Sequence, residues 1–259
     1  MKKTIFIPCF ILLATVLISS CKKVSNTDNG ISDPACSGCE RTTATAEFDS
    51  SGQGVYKGVT LSGTGIGHFR VYLKSGGTES FIKLHFVRET YPEFNDTLRY
   101  SGILQVPANT TIYPQFLGSA SRTQLRIQDN GQSADCGDYV LSGSIGTGPY
   151  PQSSMFKEYS NAQVKVFEGT MTGVGSPSPN GKVGFVVRGN QIIGVITSST
   201  NAIREHFYNG TLNANNQFSF SFTGNNSVYS GQLTSPTTIS GSFTVQGSPA
   251  GTFVASRTL

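Results

Sequence analysis

The sequence predicts an all-β protein made of two tandem antiparallel β-meander units, forming small barrels or a joint sandwich. Three observations carry this. First, apolar and polar residues alternate with period two. Phe69, Val71 and Leu73 are interleaved with His68, Arg70, Tyr72 and Lys74, and Ile82, Leu84 and Phe86 follow the same rule. Phe218, Phe220 and Phe222 alternate with Gln217, Ser219 and Ser221. This period marks strands with one buried face. Second, turn residues return roughly every eight to twelve positions, the spacing of an all-β sandwich or barrel. Third, the pattern apolar-any-Gly-any-apolar recurs, and no segment has the 3.6-residue period of a helix of three turns.

The elements follow in chain order. Lys2 and Lys3 precede an apolar run over residues 5–18, then Ile18-Ser19-Ser20-Cys21. A basic start, a short apolar core and small residues make residues 1–20 a signal peptide. The core is shorter than the roughly 20 residues of a membrane-spanning helix. A cysteine directly after the small residues resembles the signal of bacterial lipoproteins. The resemblance implies cleavage before Cys21, acylation of its thiol, and a durable multi-chain anchor in the membrane. Lys22, where an Asp would retain the protein at the inner membrane, implies the outer membrane by the same resemblance.

Residues 21–52 are rich in Ser, Thr, Asn, Asp and Lys, with few apolar side chains and Pro34. Such a segment cannot bury a core and reads as a polar tether. Besides Cys9 in the signal and Cys21, three cysteines remain: Cys36, Cys39 and Cys136. An exported chain meets an oxidising compartment, so these are candidates for one disulfide, with one thiol left over. Which two pair stays open. Cys36-Ser-Gly-Cys39 has redox or zinc spacing but lacks a βαβ context and a second pair of ligands, so no metal or cofactor is expected.

Unit 1 is placed at residues 53–148, a connector at 149–162 and unit 2 at 163–259. In unit 1 a Gly76-Gly77 turn would set His68 opposite His85. In unit 2, Gly189-Asn190 separates strands at 182–188 and 191–197, a strong two-residue hairpin signal. Asn130-Gly131, Asn180-Gly181 and Asn225-Asn226 mark further turns. The glycine pattern appears at Tyr100-Gly102-Leu104, Leu141-Gly143-Ile145, Phe167-Gly169-Met171 and Ile192-Gly194-Ile196. It returns at Tyr208-Gly210-Leu212, Tyr229-Gly231-Leu233 and Ile239-Gly241-Phe243. Each glycine shares a face with its apolar neighbours, which points to bends or to an aromatic ring packed across the backbone. Val55-Tyr56-Lys57-Gly58 resembles Val166-Phe167-Glu168-Gly169, and Arg99-Tyr100-Ser101-Gly102 resembles Phe207-Tyr208-Asn209-Gly210, so the units read as a duplication.

The formal charge is +4, and without Lys2 and Lys3 the mature chain stands at +2. No Lys/Arg cluster compensates, which excludes a nucleic-acid binder. Ser154-Met-Phe-Lys157 matches a penicillin-recognition motif by chance, because no helix starts there. Gly63-Thr-Gly65-Ile-Gly67 is a turn, not a phosphate loop, for the same reason. His68 and His85 read as two solvated cross-strand histidines, and His206 has no reason to approach them, so no metal site is assigned. No catalytic residues can be assembled from local spacing.

The candidate ligand contacts are aromatic residues in expected connections: Tyr91, Phe94, Tyr113 and Tyr150, with Phe156 and Tyr159 beside them. Sugar rings stack on such side chains. Asp96-Thr97-Leu98 resembles a short O-glycosylation signal of Bacteroidota. Signal, tether and glycine-marked meanders together resemble outer-membrane lipoproteins of Bacteroidota. The resemblance implies a lipid-anchored, non-catalytic binding or interaction module whose partner is a glycan or an envelope protein. The alternative is a structural or assembly component of the outer membrane, and the third reading is an enzyme whose site only folding would assemble. An open aromatic-lined cavity would favour binding, and packed barrels with plain surfaces a structural role.

Overall fold

The computed structural model describes residues 44–49, 53–62, 65–73, 80–87, 94–100, 111–112, 115–117, 122–125, 127–128, 141–142, 152–176, 178–198, 204–224 and 226–259. Among these the protein is all-β, as expected, with one 3-10 turn, η1 (Ala46–Phe48). The strands of the first half are β1 (Gly54–Ser62), β2 (Gly65–Leu73), β3 (Phe81–Val87), β4 (Phe94–Arg99) and β5 (Thr111–Ile112). They continue as β6 (Gln115–Leu117), β7 (Arg122–Leu125), β8 (Ile127–Gln128), β9 (Leu141–Ser142) and β10 (Gln152–Glu158). The second half contains β11 (Val164–Gly173), β12 (Gly181–Arg188), β13 (Gln191–Ser198) and β14 (Arg204–Thr211). It ends with β15 (Gln217–Phe222), β16 (Ser227–Ser235), β17 (Thr238–Val245) and β18 (Ser248–Arg257).

The two halves share one topology. The first sheet runs β10-β1-β2-β3-β4-β6-β7-β9 and the second β14-β13-β12-β11-β18-β17-β16-β15, while β5 pairs with β8 separately. Each is an eight-stranded meander whose first strand pairs with its last: β1 with β10, and β11 with β18. Read as a ring, the first ladder opens between β9 and β10 and the second between β14 and β15. Gly58 on β1 lies between Phe69 and Met155, and Gly169 on β11 lies between Val183 and Ala255. The two glycines therefore hold equivalent places, as the repeated Val-Tyr/Phe-x-Gly motif implied.

Two segments differ from the sequence reading. Residues 152–158, expected in the connector, form β10 and complete the first sheet. Ser154, Met155, Lys157 and Glu158 are all buried, so both faces of β10 meet protein and the usual polar–apolar alternation is missing. The end of the expected tether is also docked. Phe48 is buried, Lys157 Nζ donates to its carbonyl, and the Asp49 carboxylate accepts from the N–H and hydroxyl of Ser160.

The second sheet rolls around one core drawn from all eight of its strands, including Phe167, Phe185, Phe207, Phe218, Tyr229 and Phe253. The rings of Phe207 on β14 and Phe220 on β15 stack at 3.8 Å and bridge the open seam. Across β15–β18 one interior row reads Phe218, Gly231, Gly241, Phe253. Two glycines sit between two rings, and the rings lie across them, the arrangement the recurring motif anticipated. A Cβ on Gly241 would sit 2.4 Å from the Phe253 ring and 2.3 Å from the Ser230 carbonyl oxygen. A ring also lies across Gly194, whose Cβ position is 2.7 Å from the Phe207 ring, whereas Gly169 meets the backbone of Val254 and Ala255 and Gly210 meets Ile192. A register shift opposite Ile192 and Gly194 puts Phe207, not Tyr208, across from Gly194.

Turn chemistry holds at the predicted hairpin. Arg188 pairs with Gln191 around Gly189-Asn190, and Gly189 takes a φ of +57°. Asn226, in the predicted Asn225-Asn226 turn, takes φ +50°. The Gln246-Gly247 turn, with φ values of 52° and 78°, carried no predicted signal, because glutamine rarely adopts this region.

The halves pack through their outer faces. Val59, Leu61 and Ile66 from β1 and β2 meet Val164, Val166, Val186, Ile193 and Val195 from β11–β13, with Phe156 at the edge. Gly184 lets this approach close: its Cβ position lies 2.6 Å from the Ile66 side chain. Burial of this apolar layer is the main force joining the sheets.

Candidate functional site

Cys21, Cys36, Cys39, Cys136, Tyr91, Tyr113 and Tyr150 lie outside the described residues. Phe94, expected in a connection, is instead the first residue of β4 and pairs with Phe86. Phe156 and Tyr159 do not form an open aromatic platform, because the Arg188 guanidinium covers both rings at 4.7 and 5.0 Å.

The histidines correct a second expectation. His68 pairs with His85 in the register that the Gly76-Gly77 turn predicted. His68 is not solvated, however. It faces the second sheet, and its Nδ1 lies 3.1 Å from Glu168 Oε1 on β11. His206 also approaches the first sheet, with Nδ1 3.5 Å from Ser154 Oγ on β10. Burial pushes its pKa down to about 4, so the ring is neutral at physiological pH. Both misreadings have one cause: local spacing does not reveal that the outer faces of β2, β10, β11 and β14 turn toward one another.

A charged cluster fills the end of this layer. Lys57 on β1 pairs with Glu158 on β10, both buried, and Glu158 also accepts the N–H of Val164 at 3.1 Å. Burial holds the Lys57 ammonium below the usual lysine range, and the charge of Glu158 opposes that shift. Arg188 donates to the Lys157 carbonyl at 3.3 Å and to Gln191 Oε1 at 2.6 Å. These groups bind one strand to the next and are enclosed between sheets. Ser154, beside the half-buried His206, is itself only 2% exposed, so its hydroxyl is shielded from a substrate carbonyl. Among the described residues no group of three His, Cys, Asp or Glu side chains could hold a metal ion.

On the far side of the second barrel the surface is different. In the ring of strands, β15–β17 lie diametrically opposite the packed strands β11–β13. Their outward residues form cross-strand rows. One runs Ser219, Ser230, Ser242, Thr252, Thr172, and the next Gln217, Gln232, Ser240, Val254, Thr170. The Ser219 and Ser230 hydroxyls lie 3.1 Å apart. The β14–β15 turn walls this face: the Asn213 carboxamide oxygen accepts the N–H groups of Asn215 and Gln217, and Gln232 Nε2 donates to the Asn215 carbonyl. Between turn and strands lies a shallow depression of about 690 Å³, with Ser219, Ser230, Gln232, Ser240 and Ser242 along it.

This face was missed because its signal is an absence. From residue 207 to residue 256 the sequence contains no Asp, Glu, Lys, Arg or His. Charges are a usual protection for exposed sheet surfaces and edges, so a charge-free run from β14 to β18 leaves an unusual surface. Its hydroxyls both donate and accept, and its carboxamides offer both functions side by side. A charged ligand finds no counter-charge there, and the exposed Val228 and Val254 are isolated, leaving no broad apolar patch. No family model matches the chain, and no curated protein matches it either.

Proposed function

We propose that this protein is a non-catalytic binding module, held at the outer membrane by a lipid on Cys21, that meets its partner through the outer face of β15–β17. The observation that carries this reading is the contrast around one barrel. The side packed on the first sheet is valine and isoleucine, while the opposite side is uncharged, exposed and lined with hydrogen-bonding groups around a depression. The interior of the second barrel is packed with aromatic and aliphatic side chains, and the depression lies on its outer face, so that face is the natural place for contact. The Ile18-Ser19-Ser20-Cys21 stretch supports the anchor.

A photoreactive amino acid at Ser230 tests the face in intact cells. Cross-links to an envelope component are expected from Ser230 and not from Val174, which is 73% exposed at the end of β11. Equal labelling at both positions would reject the assignment. The packed core also favours the alternative of a structural component without a small ligand. In that case deleting the protein would weaken the envelope, while charges placed at Ser230 and Ser242 would leave envelope integrity unchanged.

A further inference from the structure

We infer that the partner of this face is a linear, neutral polysaccharide lying across the strands, along the rows of hydroxyls; this rests on the binding face proposed above. The first argument is electrostatic. A face without formal charge gives no attraction to an anionic polymer, a nucleic acid or a lipid headgroup, and it avoids the desolvation cost that a charged side chain imposes on a neutral ligand. The second argument is chemical. A neutral sugar presents hydroxyls that must both donate and accept once water is displaced. Ser219, Ser230 and Ser242 supply rotating hydroxyls of that kind, and Gln217 and Gln232 supply paired amide donors and acceptors.

The third argument is geometric. Strands in a sheet lie about 4.8 Å apart, so the Ser219–Ser230–Ser242–Thr252–Thr172 row repeats one hydroxyl group per strand across five strands. That period is close to the advance per residue of an extended polysaccharide, so successive sugars can meet successive strands in the same way. A protein partner would not share this repeat, and it would need an apolar centre that the face lacks. The depression beside the β14–β15 turn would seat one end of the chain against Asn213 and Gln232.

The test uses the full mature protein in detergent and hexasaccharides of β-1,4-linked glucose and β-1,4-linked mannose, with a hexamer of galacturonate as the charged counterpart. Binding is measured by calorimetry. A neutral hexasaccharide is expected to bind, with less affinity for its trimer, and the galacturonate hexamer is not. The Ser219→Ala/Ser230→Ala/Ser242→Ala variant should weaken binding by about tenfold or more, at roughly threefold to tenfold per lost hydrogen bond. Ser178→Ala, an exposed serine in the β11–β12 connection, should leave it unchanged. Because the three serines are exposed, their removal should not alter the far-ultraviolet circular dichroism spectrum. Binding of galacturonate instead, or neutral binding that survives the triple variant, overturns the inference. If no hexasaccharide binds while Ser230 still cross-links to an envelope protein, the polysaccharide is wrong and the binding face stands. If neither occurs, both fall.

Discussion

The two outer sides of the second barrel are built from the same β-meander and yet differ in every respect that matters for contact. On β11–β13 the outward positions that meet the first sheet are Val164, Val166, Val186, Ile193 and Val195, all buried. On β15–β17 the outward positions are serine, threonine and glutamine apart from Val228, with exposed Ser219, Ser230 and Ser242 at their centre. The interior is continuous behind both, so the fold does not require the difference. One side is shaped by an intramolecular neighbour. The other has kept a charge-free surface although lysine or glutamate would be the ordinary residues there, and this is the reason to seek its partner on that side.

The sharpest way to break the comparison is one substitution on each side. Val186→Asp places an uncompensated charge in the inter-sheet layer and should cost on the order of 4 kcal/mol or more, enough to unfold or separate the halves. Ser230→Asp introduces the same group on the opposite side and should change stability by less than about 0.5 kcal/mol. Urea midpoints of the two variants measure this directly, and similar losses would mean that β15–β17 are also packed.

The charged cluster allows a second comparison. Lys57→Met leaves Glu158 buried without its cation and should destabilise by about 3–5 kcal/mol. Lys57→Met with Glu158→Leu should recover part of that loss, because an apolar pair replaces the buried ion pair while the Val164 N–H loses its acceptor at a cost of about 1–3 kcal/mol. If the double variant is worse than the single one, the pair is needed for more than its mutual charge. Inside the barrel, Gly241→Ala should cost about 1–3 kcal/mol, since the new methyl meets both the Phe253 ring and a backbone oxygen.

A further expected effect is a pH dependence. The folded-state pKa of His206 is pushed down to about 4 from an ordinary value of 6.5. The unfolded chain therefore binds the extra proton between these values, and the stability from neutral His206 is complete above pH 6.5 and lost as pH falls toward 4. His206→Gln should flatten the stability profile in that window, by at most about 3 kcal/mol. An unchanged acid slope would place the titration elsewhere.

The strand periods, the Gly189-Asn190 hairpin and the duplication were legible because each rests on local rules: alternation, turn chemistry, and glycine facing an aromatic ring. The His68–His85 register followed from a single turn. Less legible was anything set by the contact of one sheet with the other. Strand β10 hides because both of its faces are covered, and Glu168 and His206 gain their partners only when the two outer surfaces meet. The candidate face was visible in principle, since residues 207–256 announce it by lacking charge. Reactive groups and exposed rings are the usual local marks of a site, however, and a face made of serines supplies neither.

The most direct test is hydrogen–deuterium exchange of the protein, alone and with the neutral β-1,4-linked hexasaccharides. The account predicts that amides of β11–β13 exchange slowly in both samples, while those of β15–β17 exchange faster when free and slow on addition of the hexasaccharides. Slowing confined to the first sheet, or no slowing anywhere, would contradict the claim that this barrel packs with one side and binds with the other.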